Sequence, residues 1–132
     1  MFTLTIFLAI FSGKIYHEKV DVEVVAIYDG DTFTVNIKDW PDIVGKKVQV
    51  RIYGIDTPEL KSKNLYEKDL ARKAKERLVF LLRNHKIDIR NVRRDKYFRL
   101  LAEVYSDDIN VGDKLIEEGL AREYFGNKKG DW

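Results

Sequence analysis

Between Val20 and Tyr53 the chain alternates apolar and polar residues with a period of two, three times in succession. A chain written this way must pair strands around a shared core. Val20, Val22 and Val24 are followed by Val25 and Ile27, a change of phase that predicts a bulge or strong bend at Val24 and Val25. Asp29-Gly30-Asp31 is a turn signal. Phe33, Val35 and Ile37 then alternate with Thr32, Thr34 and Asn36, so a second strand folds back on the first as a hairpin. Asp39 to Gly45, with Pro41 inside it, reads as a loop. Val48, Val50 and Ile52 alternate with Gln49, Arg51 and Tyr53 to give a third strand. It stops at Gly54-Ile55-Asp56-Thr57-Pro58, where proline cannot donate to a ladder.

The next segment changes period. Leu70, Ala74, Leu78, Leu81 and Leu82 recur at helical spacing, and Lys68, Arg72, Lys75 and Glu76 fill the other face, which predicts one long helix over 65–83. Ile87, Ile89 and Val92 suggest a fourth strand. Phe98, Leu100, Ala102 and Val104 alternate with Tyr97, Arg99, Leu101, Glu103 and Tyr105 and suggest a fifth. Asn110 to Glu118 reads as a short helix with Gly119 as its C-cap. The expected class is α+β: a five-stranded OB-fold barrel, with one long helix between strands three and four and a short C-terminal helix. Such a barrel binds nucleic acids or oligosaccharides in many proteins, but a fold is not a function.

At 132 residues the chain suits one domain with a real core, assigned to 14–132. Ahead of it, Met1 to Ser12 carry no charged side chain. A bilayer span needs about 20 residues, so this run is too short for one. It has the length of the apolar part of a secretory signal, yet no Lys or Arg precedes it and no clean small-residue cleavage site follows. Residues 1–13 therefore read in two ways. As a signal or anchor remnant they place the protein outside the cell or in its envelope. As an extra strand or flap on the core they leave it cytoplasmic.

The chemistry is bounded by what is missing. There is no Cys, which excludes disulfides, thiolate-held zinc, iron–sulfur clusters and thiol nucleophiles. Two His residues, His17 and His85, argue against catalysis by a histidine pair. Charge is unevenly spread: from Lys61 to Arg99 there are 14 Lys and Arg against 5 Asp and Glu, in a chain whose net charge is only +2. A basic stretch of this kind offers a surface to a polyanion, although a solvated helix face would read alike.

The carboxylates with a chemical role to consider sit at strand ends. Asp29 and Asp31 flank one turn, and Asp56 and Glu59 follow the third strand. Brought to one end of the barrel, they would repel each other unless a cation lay between them, and a hard, oxygen-liking ion such as Ca²⁺ fits such a set. Taken singly, each motif is more often a plain turn or stop. Arg51 and Arg99 add to the case. Each is out of phase with its apolar neighbours and leaves the hydrophobic face, so the two could hold a phosphate in a fork of N–H donors. A surface ion pair is the commoner fate of an arginine.

Four stretches, Ala26-Ile-Tyr-Asp-Gly-Asp-Thr32, Val50-Arg-Ile-Tyr-Gly-Ile-Asp-Thr-Pro-Glu59, Arg94-Asp-Lys-Tyr-Phe-Arg-Leu-Leu-Ala102 and Glu118-Gly-Leu-Ala121, together resemble the staphylococcal nuclease (thermonuclease) family, in its compact bacterial form. The resemblance runs over about residues 20–125 and keeps the family's order. It implies that Asp31 and Asp56 are carboxylate ligands of Ca²⁺, with the main-chain carbonyl of Thr57 as a further ligand and Asp29 in an outer shell. It implies that Glu59 is the general base on the attacking water and that Arg51 and Arg99 hold the scissile phosphate. It implies that Lys96 and Tyr97 contact the terminal phosphate of a bound nucleotide, and that an aromatic at Tyr124 or Phe125 stacks on a base.

The chain departs from the family in three places. Phe98 stands where a glycine usually precedes the second arginine. The loop after Glu59 is a few residues shorter, and the long C-terminal helix is replaced by Phe125-Gly-Asn-Lys-Lys-Gly-Asp-Trp132. Without that helix, Trp132 or the apolar N-terminal run is expected to pack on the barrel.

The reading that follows from the resemblance is a monomeric, Ca²⁺-dependent nuclease with no obligate protein partner. It would hydrolyse DNA and RNA with low sequence preference and leave 3′-phosphate ends. Single-stranded substrate is favoured and double-stranded DNA is a further candidate. The alternative is a non-catalytic nucleic-acid-binding domain of the same family. A third reading, a calcium-stabilised structural or envelope module, is opposed by the basic stretch.

Overall fold

The computed structural model describes residues 17–126, 130 and 132. The expectations for residues 1–13 therefore lie outside the described residues. The order of elements is β1 (His17–Ile27), β2 (Thr32–Asn36), α1 (Asp42–Gly45), β3 (Val48–Ile52), β4 (Ile55–Asp56), α2 (Leu65–Leu82), β5 (Ile87–Arg94), β6 (Leu100–Ser106), β7 (Ile109–Asn110), α3 (Val111–Glu117) and β8 (Arg122–Glu123).

Five strands close into a barrel. The sheet order is β3-β2-β1-β5-β6, and β3 then pairs back onto β6. The seam is the one parallel pairing, with Val50 opposite Leu100 and Ile52 opposite Ala102, while the other contacts between barrel strands are antiparallel. Strand β1 serves two neighbours. Its first half pairs with β5 and its second half with β2. The ladder to β2 slips between Val24 and Ala26, which is the bulge that the change of apolar phase predicts. Bulges of this kind add twist and bend, and a small barrel needs both to close.

The inward residues are those that the alternation marks. Phe33, Val35, Val50, Ile52, Ile89, Val92, Leu100, Ala102 and Val104 are buried. Helix α2 lays Ala71, Ala74, Leu78 and Leu82 inward. Its start is fixed by Asn64, whose side chain accepts hydrogen bonds from the N–H groups of Tyr66 and Glu67. Asn110 caps α3 by accepting from Asp113 N at 3.0 Å. Gly119 ends that helix at φ +75°, where the Leu120 N–H reaches back to Leu115 O.

Two local expectations are corrected. The fifth strand begins at Leu100, not at Tyr97. Phe98 lies in the preceding turn at φ +62° and is 77% exposed, so its apolar phase with Leu100 reflects no inward orientation. The stretch 39–45 is a loop only in part, because Asp42–Gly45 make one helical turn. Near the C-terminus, Trp132 meets strand β8 outside the barrel: the Arg122 guanidinium lies 3.8 Å from its ring centroid. No helix among the described residues is long and apolar enough to cross a membrane.

Candidate active site

The β1–β2 turn comes first. It is pressed against both the helix and the segment after β4, and Gly30 is where they meet. A Cβ at Gly30 would lie 2.8 Å from Ala74 Cβ and 3.0 Å from Thr57 Cγ2, so no larger residue fits without displacing backbone or helix. This close approach sets Asp29 and Asp31 beside Asp56 and Thr57. Asp31 Oδ2 accepts from Thr57 N at 3.2 Å and from Thr57 Oγ1 at 3.1 Å, and Asp31 Oδ1 accepts from Thr32 Oγ1. Asp29 Oδ1 accepts from the Asp31 N–H. Asp31, Asp56 and Thr57 are all buried.

Arg51 enters from β3. It sits opposite Thr32 in the ladder, so its side chain rises next to the turn. One guanidinium nitrogen donates to Ile52 O at 2.8 Å; the other lies 3.4 Å from Asp31 Oδ2 and 3.6 Å from Asp56 Oδ1. The arginine thus bridges the two carboxylates that the resemblance names as metal ligands. Negative charge remains in excess. Burial, and then the neighbouring Asp31 carboxylate, push the Asp29 carboxyl up to about 7 from an ordinary 3.8.

The residues fit a hard cation in kind. Their donors are carboxylate and carbonyl oxygens, and a carboxyl displaced to near neutrality signals a place where added positive charge is favourable. Among the described residues no three His, Asp or Glu side chains form a ready-made cage. A cation here would be held by Asp31, Asp56 and the Thr57 carbonyl, with water completing the shell, as Ca²⁺ readily accepts.

Arg99 reaches the site from a different kind of support. Residues 95–99 form a tight turn organised by Asp95. One Asp95 carboxylate oxygen accepts from Tyr97 N at 2.8 Å and Arg99 N at 2.9 Å, and the other accepts from Arg99 Nε at 2.7 Å. The guanidinium also lies 5.1 Å from the Tyr97 ring centroid. Arg51, Arg99, Glu59, Asp29 and Asp31 line one hollow of about 460 Å³. Glu59 is exposed at its rim. Its loop is tied to the first turn of α2 by Glu67, which accepts from Ser62 Oγ at 2.9 Å and from Glu59 N at 3.4 Å.

A second hollow adjoins the first at Arg51 and Arg99 and takes in Lys96, Tyr97, Tyr124 and Phe125. The β4–β8 ladder builds its far wall, with Asp56 opposite Arg122 and Ile55 opposite Glu123, and Tyr124 N donates to Gly54 O. This brings Phe125 over Gly54 and edge-on to Tyr53, with ring centroids 5.6 Å apart. Phe125 is 61% exposed and available to a planar ligand. The two adjoining hollows are lined by the residues singled out in the sequence except Asp56 and Thr57, which are buried against Arg51 and Asp31. Sequence reasoning missed Asp95, Glu67 and Tyr53, which position these residues. Asp95 carried the one available signal, a carboxylate four residues from Arg99 across a turn.

A family model described as Staphylococcal nuclease homologue matches residues 49–131. Endonuclease YncB of Bacillus subtilis is 39% identical over 106 residues, which cover 78% of this chain and 47% of that protein. A thermonuclease of Staphylococcus hyicus is 33% identical over 105 residues, 78% of this chain and 59% of its own. An uncharacterized endonuclease of Escherichia coli O157:H7 is 30% identical over 118 residues, 89% of this chain and 69% of its own. The chain spans about half the length of the Bacillus and Staphylococcus hyicus proteins. The family match holds Arg51, Asp56, Thr57, Glu59, Lys96, Tyr97, Arg99 and Phe125. Asp29 and Asp31 fall before it and join the set through geometry.

Proposed function

The chain belongs to the staphylococcal nuclease family, and on that footing we propose that it is a Ca²⁺-dependent nuclease that hydrolyses the phosphodiester bonds of DNA and RNA. The reading includes low sequence preference, 3′-phosphate products and a preference for single strands. The observation that carries it is the shared hollow: Asp29 and the buried Asp31, Arg51 from a barrel strand, Arg99 from the turn before β6 and the exposed Glu59 line the same space. A mere nucleic-acid binder has no use for a carboxylate base beside two phosphate-holding arginines.

The chain's residues divide the work. Attack on a phosphodiester builds negative charge on the phosphoryl oxygens, and guanidinium N–H groups from Arg51 and Arg99 donate to them as it forms. Glu59 takes a proton from the attacking water, which a carboxylate at the rim can do from its exposed position. Phe125, held edge-on by Tyr53, offers a face to a base next to the scissile phosphate. Stacking of that kind tolerates any base and favours unpaired ones. Lys96 and Tyr97 meet a neighbouring phosphate. Bound Ca²⁺ would supply electrostatic stabilisation of the developing charge.

The test is cleavage of labelled single-stranded DNA and RNA by the chain after EDTA treatment and again after Ca²⁺ is restored, with the product ends analysed. Loss and recovery of cutting, with 3′-phosphate ends, is expected. Binding without cutting at any Ca²⁺ concentration would instead favour the non-catalytic reading.

A further inference from the structure

Beside Arg99 and Tyr97 lies a third hollow, the rest of whose lining the proposed reaction leaves unused. It measures about 310 Å³ and is bounded by Ile43, Lys46, Lys47, Gln49, Arg94 and Phe98. It adjoins the acidic hollow at Gln49 and Arg99 and the Tyr53–Phe125 hollow at Tyr97 and Arg99. Its composition is unusual for an ordinary surface: Ile43 is 94% exposed and Phe98 77%, and both stand among cations. The Arg94 guanidinium lies 5.8 Å from the Phe98 ring centroid, and its Nη1 donates to Phe98 O at 3.1 Å.

The groove is also built under strain. Lys47 and Phe98, on opposite supports, both adopt left-handed backbone, at φ +51° and +62°. Neither residue type takes that conformation without cost, and such residues persist where the surroundings over-determine them, often at functional sites. The surroundings do so here. Lys47 N donates to Asn36 Oδ1 at 2.8 Å, and the loop beneath it is closed by Ile37 N to Gly45 O at 2.7 Å. A Cβ at Gly45 would meet Trp40 Cβ at 2.7 Å, so this loop has one tight packing. On the other side, Asp95 fixes the turn that holds Phe98 outward.

We propose that this groove binds the substrate strand beyond the scissile phosphate, with Tyr97 and Arg99 as the wall between it and the Tyr53–Phe125 hollow. Phe98 stacks on a base, and Lys46, Lys47 and Arg94 face the phosphates. The occupant is a single-stranded nucleic acid. Exposed rings interleaved with cations are the chemistry that recognises one, and the groove borders the hollow where such a strand would be cut. The inference rests on the nuclease reading for its direction but not for its test.

The test uses the full chain in EDTA and follows fluorescence anisotropy of a labelled single-stranded octamer and of a trimer too short to reach past Arg99. Two variants are compared, Phe98→Gly and the double variant Lys46→Gln with Lys47→Gln. Glycine suits the left-handed backbone, so Phe98→Gly should melt no lower than the parent. It should weaken octamer binding by about tenfold, the loss of one stacked base, with its salt dependence unchanged. The double lysine variant should flatten the slope of log affinity against log salt by about 1.4. Trimer binding should be the same in all three proteins. Octamer binding unaltered in both variants, or an octamer held no better than the trimer by the parent, overturns the groove. A parent that gains affinity through the groove, yet leaves the octamer intact in Ca²⁺, overturns the nuclease reading and leaves the groove standing.

Discussion

The two arginines of the candidate site face one hollow but are held in opposite ways. Arg51 is buried within a central barrel strand and is fixed by Ile52 O, Asp31 and Asp56. Arg99 stands on a turn at the mouth, one-quarter exposed, and a single carboxylate, Asp95, orients it. Asp31, Asp56 and Thr57 share the first condition; Glu59, Tyr97 and Phe125 share the second. One half of the site is thus continuous with the core, and the other is carried by loops laid over it. In the core half, chemistry and stability are inseparable. In the loop half, residues can change what is bound or cut without loosening the barrel.

The largest effect that would sharpen this division is expected on the loop side. Glu59→Gln keeps shape but cannot accept a proton, and kcat should fall by ~10²–10⁴ while the melting temperature holds. Near-normal turnover at saturating Ca²⁺ would remove Glu59 from the role of base. Next comes the pair of arginines. Arg51→Lys and Arg99→Lys should each lower kcat by ~10²–10³, the loss of a geometrically fixed donor. Only Arg51→Lys should also destabilise the metal-free protein, by about 1–3 kcal/mol, since it leaves buried carboxylates less well satisfied. Equal melting curves for the two lysine variants would break the comparison.

A smaller effect is expected at Gly30, where the core half is pinned. Gly30→Ala should cost about 1–3 kcal/mol of stability by overpacking against Ala74 and Thr57. It should reduce activity by displacing Asp29 and Asp31 together. Urea denaturation and cleavage assays on the same preparation would show whether both fall.

The last effect is confined to the metal-free protein and concerns pH. The Asp29 carboxyl titrates at about 7 in the folded chain and near 3.8 when unfolded. Between those values the folded state holds a proton that the unfolded state has lost, so metal-free stability should decline as pH rises from about 4 to about 7. Asp29→Asn should flatten that decline and leave the variant more stable than the parent above neutrality. A parent whose urea midpoint is the same at pH 5 and pH 8 would contradict the burial of excess charge at the turn.

Much of the core half was legible in the sequence, because strands of five or more residues display their period. The alternation about Phe33, Val50 and Leu100 marks the barrel, and the phase change at Val24 and Val25 marks the bulge. The loop half was legible only through resemblance. Strands β4 and β8 have two residues each, too few to show a period, so nothing local announces the ladder that carries Phe125 to Tyr53. Phe98 misled for the opposite reason: its phase matched Leu100 by coincidence across a turn that Asp95 organises. The fit of Gly30 against Ala74 joins residues far apart in sequence, and single-sequence patterns carry no such distances.

The parallel seam of the barrel has a consequence in time. Val50 pairs with Leu100 across the hairpins and the long helix that lie between them in the chain, and contacts between such distant segments are slow to form. During synthesis, a chain that has emerged through Glu59 already carries the acidic turn, the first arginine and the base. It lacks the second arginine and the strand that closes the barrel. On the proposed reading the two halves of the phosphate grip therefore come together only in a chain whose second half has been made.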